Sequence, residues 1–166
     1  MSAVNLEILL TASLSLTLVW TMVTDIRHRI IPNWVVLVVI ALAPAMWFIS
    51  DLALWPEIVV RLLLASLCFV IFAAIFATGK MGGGDVKLLA ALALWITPAW
   101  FLKLILMMSL LGGLLTIILA LWHGLRRRRE RLAIPYGVAI ASAGLWALAS
   151  QFVFPAQSAL PAGALG

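Results

Sequence analysis

Hydrophobic and polar positions along this chain fall into long apolar runs cut by short polar stretches. Six runs can be marked: residues 4–24, broken only by Glu7; 33–50, entered through Pro32; 57–78, after the short acidic stretch 51–56; 85–97, which Pro98 interrupts; 99–124; and 134–153. None shows the period-two alternation of barrel strands. In lipid only helices and closed barrels satisfy their backbone polar groups, so all six runs are predicted to be helices. Proline suits the first turn of a helix, which fits Pro32 ahead of the second run and argues for two helices meeting at Pro98 rather than one long one. The fourth run is short for a span.

Composition agrees. The chain has 166 residues, of which 66% are hydrophobic and 10% charged, and its mean hydropathy is +1.21. That is too little polar surface to cover a soluble domain, so an all-α integral membrane protein of about six transmembrane helices is expected. One membrane domain, residues 1–154, and a flexible tail, 155–166, account for the length. The first run lacks a basic leader segment and a small-residue cleavage site, so it reads as a span of the mature chain.

Charge then orients the bundle. Nine of the eleven Lys and Arg lie in three stretches: Arg27 and Arg29; Lys80 and Lys87; Arg126, Arg127, Arg128, Arg129 and Arg131. Six spans put all three on one side, which the positive-inside rule makes cytoplasmic, with both termini outside. The other side holds Asp51, Glu57 and Arg61. The net charge of +5 is thus an orientation signal, and no nucleic-acid partner is expected. The arginine cluster reads as an anchor to anionic lipids. The tryptophans, mostly near run ends, read as an interfacial belt. Glu7 reads as snorkelling to the outer surface, and Gly112 and Gly113 as helix packing. The single Cys68 excludes an internal disulfide, and neither a metal nor a cofactor is expected.

Only six Asp and Glu are present, and two of them, Asp25 and Asp85, fall at the cytoplasmic ends of the first and fourth runs. Ionisable groups at membrane depth are costly and point to function. Two carboxylates sharing one proton can hydrolyse an amide without metal: the ionised one takes a proton from water while the other donates to the carbonyl oxygen or leaving amine. Gly82, Gly83 and Gly84 before Asp85 offer backbone freedom and close approach. Singly, each aspartate reads equally well as a helix cap or, for Asp25, an interfacial partner of Arg27 or Arg29. Intramembrane carboxylates also serve proton-coupled carriers, and a structural subunit of a secretion machine is a third reading.

Asp25 with Arg29-Ile30-Ile31-Pro32-Asn33, then Gly82-x-Gly84-Asp85-Val86-Lys87-Leu88, resembles the type IV prepilin peptidases, a family of GxGD aspartic peptidases; Ile134-Pro135-Tyr136-Gly137 is similar to the family's Pro-aromatic-Gly element. The resemblance implies Asp25 and Asp85 as the catalytic pair. It implies cleavage of the basic leader from prepilins and pseudopilins at the cytoplasmic face of the bacterial inner membrane. Gly82, Gly84, Lys87, Pro32, Asn33, Pro135 and Tyr136 are the expected site-shaping or substrate-binding residues, Lys87 also reading as a lipid-phosphate contact. The chain lacks the cytoplasmic segment with paired cysteines of the long members. It thereby resembles the short branch serving tight-adherence (Flp) pili, and methyl transfer is not part of the expectation.

Overall fold

The computed structural model describes residues 3–79, 81–125 and 136–153. Six α-helices follow in order: α1 Ala3–His28, α2 Asn33–Ile49, α3 Val59–Ala77, α4 Gly83–Leu92, α5 Pro98–Leu125 and α6 Tyr136–Val153, with one wide helical turn, Leu54–Ile58, leading into α3. There are no strands among the described residues. Among the described residues, three stretches are long and apolar enough to cross a membrane: Ala3–His28, Leu54–Ala77 and Pro98–Trp122. The tail 155–166, Lys80, Pro135 and the arginine cluster lie outside the described residues.

The helices form a bundle around α4, which packs against α2, α3 and α6, while α1 packs on α2 and α6, and α5 on α6. α4 is the inner element: Asp85, Val86, Leu88, Leu89, Ala91 and Leu92 are all buried. Elsewhere the outward faces are apolar, as the lipid-facing side of a membrane bundle must be; Leu16, Leu63, Val70 and Leu110 are all well exposed. Ser50 Oγ donates to Glu7 Oε1 at 2.7 Å, so Glu7 is tied to the end of α2 rather than free to snorkel. That bond marks one end of the bundle. Asp25 lies eighteen residues along α1 at the other end, ~27 Å away at helical rise and close to a hydrocarbon thickness.

The fourth span departs from expectation. Helix was expected over 85–97, but α4 ends at Leu92. At ten residues it is ~15 Å long, half a membrane. Residues 93–97 form an irregular turn in which Ala93, Leu94, Trp95 and Ile96 are buried. Non-helical backbone at membrane depth is tolerated only where protein satisfies it. Here Trp47 Nε1 donates to Leu94 O at 2.8 Å, Arg61 joins the same carbonyl at 3.4 Å, and Gln151 Oε1 accepts from Thr97 N–H at 3.1 Å. Pro98 then opens α5, where its missing N–H costs nothing, and Thr97 O accepts from Phe101 N–H at 2.8 Å.

Two sequence-based assignments change accordingly. Arg61, expected as an outer-side charge, is buried and caps the carboxyl end of α4. Trp47 and Trp95, expected in the interfacial belt, hold backbone instead, Trp95 Nε1 donating to Val39 O at 2.9 Å. Trp20, Trp34, Trp55 and Trp122 are exposed as a belt requires. Because two donors share Leu94 O, Trp47→Phe or Arg61→Met alone is expected to cost about 1 kcal/mol. Together they orphan a buried carbonyl and should cost more than their sum, by about 1–2 kcal/mol. Thermal melts of the three variants in detergent test this; simple additivity would contradict it.

Candidate active site

The site is built where α1, α4 and α6 meet. Hydropathy ends the first run at Thr24, but α1 continues one turn further to His28, which places Asp25 inside the helix. Asp25 O accepts from Arg29 N–H at 2.9 Å, and Arg29 itself takes a left-handed conformation (φ 55°). That is the usual way to end a helix, although glycine is the usual residue. After the reversal Ile31 comes to lie beside Gly137 and Gly84, next to the two aspartates. Pro32, in an extended conformation, then precedes α2 at its N-cap.

Asp25 is 5% exposed although it carries a carboxylate at the bundle's edge. Its Oδ2 accepts from Val138 N–H at 3.1 Å, and the adjacent Gly137 N–H makes a second, weaker contact. These amides stand in the first turn of α6, where N–H groups have no partner within the helix and carry positive partial charge. The Arg29 charge acts on the same carboxyl group.

Asp85 is 8% exposed. The glycines before it were expected to offer backbone freedom and close approach ahead of the helix. Instead Gly82 is the N-cap of α4, and Gly83 and Gly84 lie in its first turn. Asp85 therefore stands at the third helical position, from which its carboxyl reaches back to the Gly82 N–H. This is half of a capping box. Asp25 and Asp85 are close enough for their charges to act on one another.

The same geometry accounts for the spacing Gly-x-Gly-Asp. A Cβ on Gly82 would lie 2.8 Å from Asp85 Oδ2, and one on Gly84 would lie 2.8 Å from Cβ of Ile31. At Gly83 the nearest neighbour is the rim of the Phe76 ring at 3.4 Å, an ordinary contact. A side chain at the first position would displace the Asp85 carboxyl group and one at the third would strike the Ile31 branch point; at the second a Cβ makes only an ordinary contact. Gly83→Ala is expected to keep activity within about threefold and to raise the melting temperature slightly, since alanine is the better helix former. A large activity loss in that variant would show that the middle position is also constrained.

Of the other sequence-predicted residues, Lys87 and Asn33 pair with each other, Nζ to Oδ1 at 3.1 Å. Lys87 follows Asp85 by two residues, roughly 200° around the helix, so this pair lies on the far side of α4 from the Asp85 carboxyl. It flanks a cavity of about 300 Å³ lined with Val36, Leu37, Ile40, Phe69 and Ala90. Tyr136 packs on α5: a Cβ on Gly112 would lie 3.0 Å from its Cε1. A Cβ on Gly113 would meet nothing within 4 Å among the described residues, whereas Gly112 serves packing.

Sequence reasoning quoted Gly137 and Ile31 within the motifs but gave neither a role in the site. A Cβ on Gly137 would lie 2.8 Å from Asp25 Oδ2 and 3.0 Å from Ile31 Cδ1. Ile31 thus touches both the glycine preceding Asp85 and the glycine beneath Asp25. The signal for Gly137 was its place after Pro135-Tyr136; an isoleucine in an apolar stretch gives none.

An all-helical membrane bundle with two buried aspartates at one end defines the class. The chain belongs to the type IV leader peptidase family, whose sequence profile matches residues 12–121. It is 33% identical over 130 residues to a protein of Xanthomonas campestris pv. campestris named prepilin leader peptidase/N-methyltransferase, covering 72% of this chain and 42% of that relative. The chain therefore spans about two fifths of the relative's length. No solved structure matches it.

Proposed function

We propose that this chain is a membrane-embedded aspartic endopeptidase. In this reading it removes the leader peptide of prepilins or pseudopilins at the cytoplasmic face of the inner membrane, for tight-adherence (Flp) pilus biogenesis or related secretion. The observation that carries the reading is the pairing of Asp25 and Asp85 from separate helices at one end of an apolar bundle. Arg27, Arg29 and Lys87 lie at that same end, which supports its facing the cytoplasm.

The chemistry follows from the pair. Like charges held together cannot both stay ionised, so one proton is shared. The ionised carboxylate takes a proton from a water molecule, which attacks the scissile carbonyl carbon. The protonated carboxyl donates to the carbonyl oxygen, and collapse of the tetrahedral intermediate passes a proton to the departing amine. The substrate's hydrophobic helix lies in the bilayer beside the bundle, so its scissile bond reaches the edge where the pair stands. Pro32 and Gly84 shape the approach. Lys87 and Asn33, facing away from the pair, serve a lipid headgroup rather than the reaction, and Arg126, Arg127, Arg128, Arg129 and Arg131 anchor the chain to anionic lipid.

The test is co-expression with an Flp-type prepilin and, separately, with a longer type IV prepilin, followed by gel analysis of leader removal. The reading expects processing of the Flp-type substrate. Processing of the longer prepilin alone would keep the peptidase and refute the branch. Failure with a panel of prepilins would refute the peptidase and favour a proton-coupled carrier or a structural subunit. A carrier would show transport in proteoliposomes.

A further inference from the structure

The first turn of α6 carries three consecutive features that the peptidase reading leaves unused, the last two of which meet Asp25. The Tyr136 ring lies in the space left by Gly112 of α5. A side chain on the next residue, Gly137, would push on the Asp25 carboxyl group, because a Cβ there would lie 2.8 Å from Oδ2 and 2.9 Å from Cγ of Asp25. The following residue, Val138, donates its N–H to that same Oδ2 at 3.1 Å. A carboxylate on one helix is thus held by the amides of another, 113 residues later in the chain.

We propose that Gly112, Tyr136 and Gly137 form a positioning device for Asp25: the ring seated at Gly112 fixes the first turn of α6, and that turn aims one carboxylate oxygen by its backbone amides while leaving the other free for the reaction. Resting on the aspartic peptidase reading, the device makes Asp25 the partner whose orientation is set from outside its own helix. Asp85, by contrast, is set by the turn in which it stands. Tyr136 contributes its ring and not its hydroxyl, and Gly137 contributes the absence of a side chain.

Misplacing a reacting group by about 1 Å costs on the order of a hundredfold in rate. In the full-length membrane protein, Gly137→Ala is accordingly expected to lower kcat about a hundredfold with KM changed less than about threefold. Tyr136→Ala and Gly112→Ala should lower kcat about tenfold by loosening the same turn. Tyr136→Phe, which keeps the ring, should retain at least about half the activity. The Cβ at Gly137 would also meet Ile31 Cδ1 at 3.0 Å, so the double variant I31V/G137A separates two causes. The proposal expects no recovery, because the encounter with Asp25 remains.

Recovery by Ile31→Val would overturn it, leaving Gly137 as a spacer for Ile31 alone. Full activity in folded Gly137→Ala would also overturn it. Should that variant fail to insert, Tyr136→Ala and Gly112→Ala decide: reduced kcat in both, with Tyr136→Phe active, supports the device, and unchanged kcat in both refutes it. Asp25→Asn in the same assay tells the two readings apart. An active Asp25→Asn sinks the dyad, whereas an inactive Asp25→Asn beside an active Gly137→Ala sinks only this inference.

Discussion

Asp25→Asn and Asp85→Asn are each expected to lower prepilin cleavage by about a thousandfold or more, with the protein still folded and inserted. Asparagine is nearly isosteric with aspartate, and its amide oxygen can still accept from Val138 N–H at position 25 or from Gly82 N–H at position 85. The local fold therefore survives. What disappears is proton transfer: a carboxamide neither takes a proton from water nor gives one to a leaving amine near neutral pH. The two carboxyls act as a unit, so the double variant should be no worse than either single one. Initial rates at equal membrane abundance, with melting temperatures as the folding control, measure this. A single variant within tenfold of wild type would remove that residue from the reaction.

Gly84→Ala has the second largest expected effect, for a different reason. The new methyl group would meet Cβ of Ile31 at 2.8 Å and the Ile31 carbonyl oxygen at 3.4 Å. Neither is the far end of a flexible side chain. Relief requires the first turn of α4 to move against the Ile31–Pro32 segment, and Asp85 is the next residue in that turn. Overpacking of this kind costs about 1–3 kcal/mol, against which alanine's helix propensity returns up to about 1 kcal/mol. Net destabilisation is expected, together with a fall in kcat of about a hundredfold. Melts and initial rates on Gly83→Ala and Gly84→Ala side by side give the cleanest reading, since the two differ only in what the added methyl group touches. Equal behaviour would contradict the account of the motif.

Much of the architecture was legible from residue patterns, because burial in lipid makes hydropathy a reliable guide to helices. The six runs correspond to the six helices, and Pro98 opens α5 as its missing N–H requires. What hydropathy cannot separate is an apolar residue facing lipid from one facing protein. Leu94 and Ile96 look like any membrane residues, yet they form the buried turn that cuts α4 to half a membrane. The groups satisfying that turn, Trp47, Arg61 and Gln151, come from three other helices, so no local window reveals them. The end of α1 was misplaced for a related reason: polarity begins at Thr24, but the hydrogen-bonded helix continues until Arg29 turns left-handed.

At the site, the aspartates stood out by scarcity, since a chain with six acids displays each of them. The glycines were recognised as a pattern, but their reasons were not: Gly82 yields to Asp85, Gly84 to Ile31, and Gly137 to Asp25. Each reason is a contact at a stated distance, and two of the three span distant parts of the chain. Tyr136 was expected near the aspartate pair; it packs on Gly112 and meets Asp25 only through the backbone that follows it.

The central claim is that this chain itself hydrolyses a prepilin with its aspartate pair. The most direct test incubates the purified wild-type protein with a purified prepilin and reads the products by mass spectrometry, beside Asp25→Asn and Asp85→Asn at matched amounts. The account predicts a leader and a mature pilin whose masses sum to the substrate plus one water, from wild type alone. Intact prepilin after incubation with folded wild type, or the same two fragments from either variant, would contradict it.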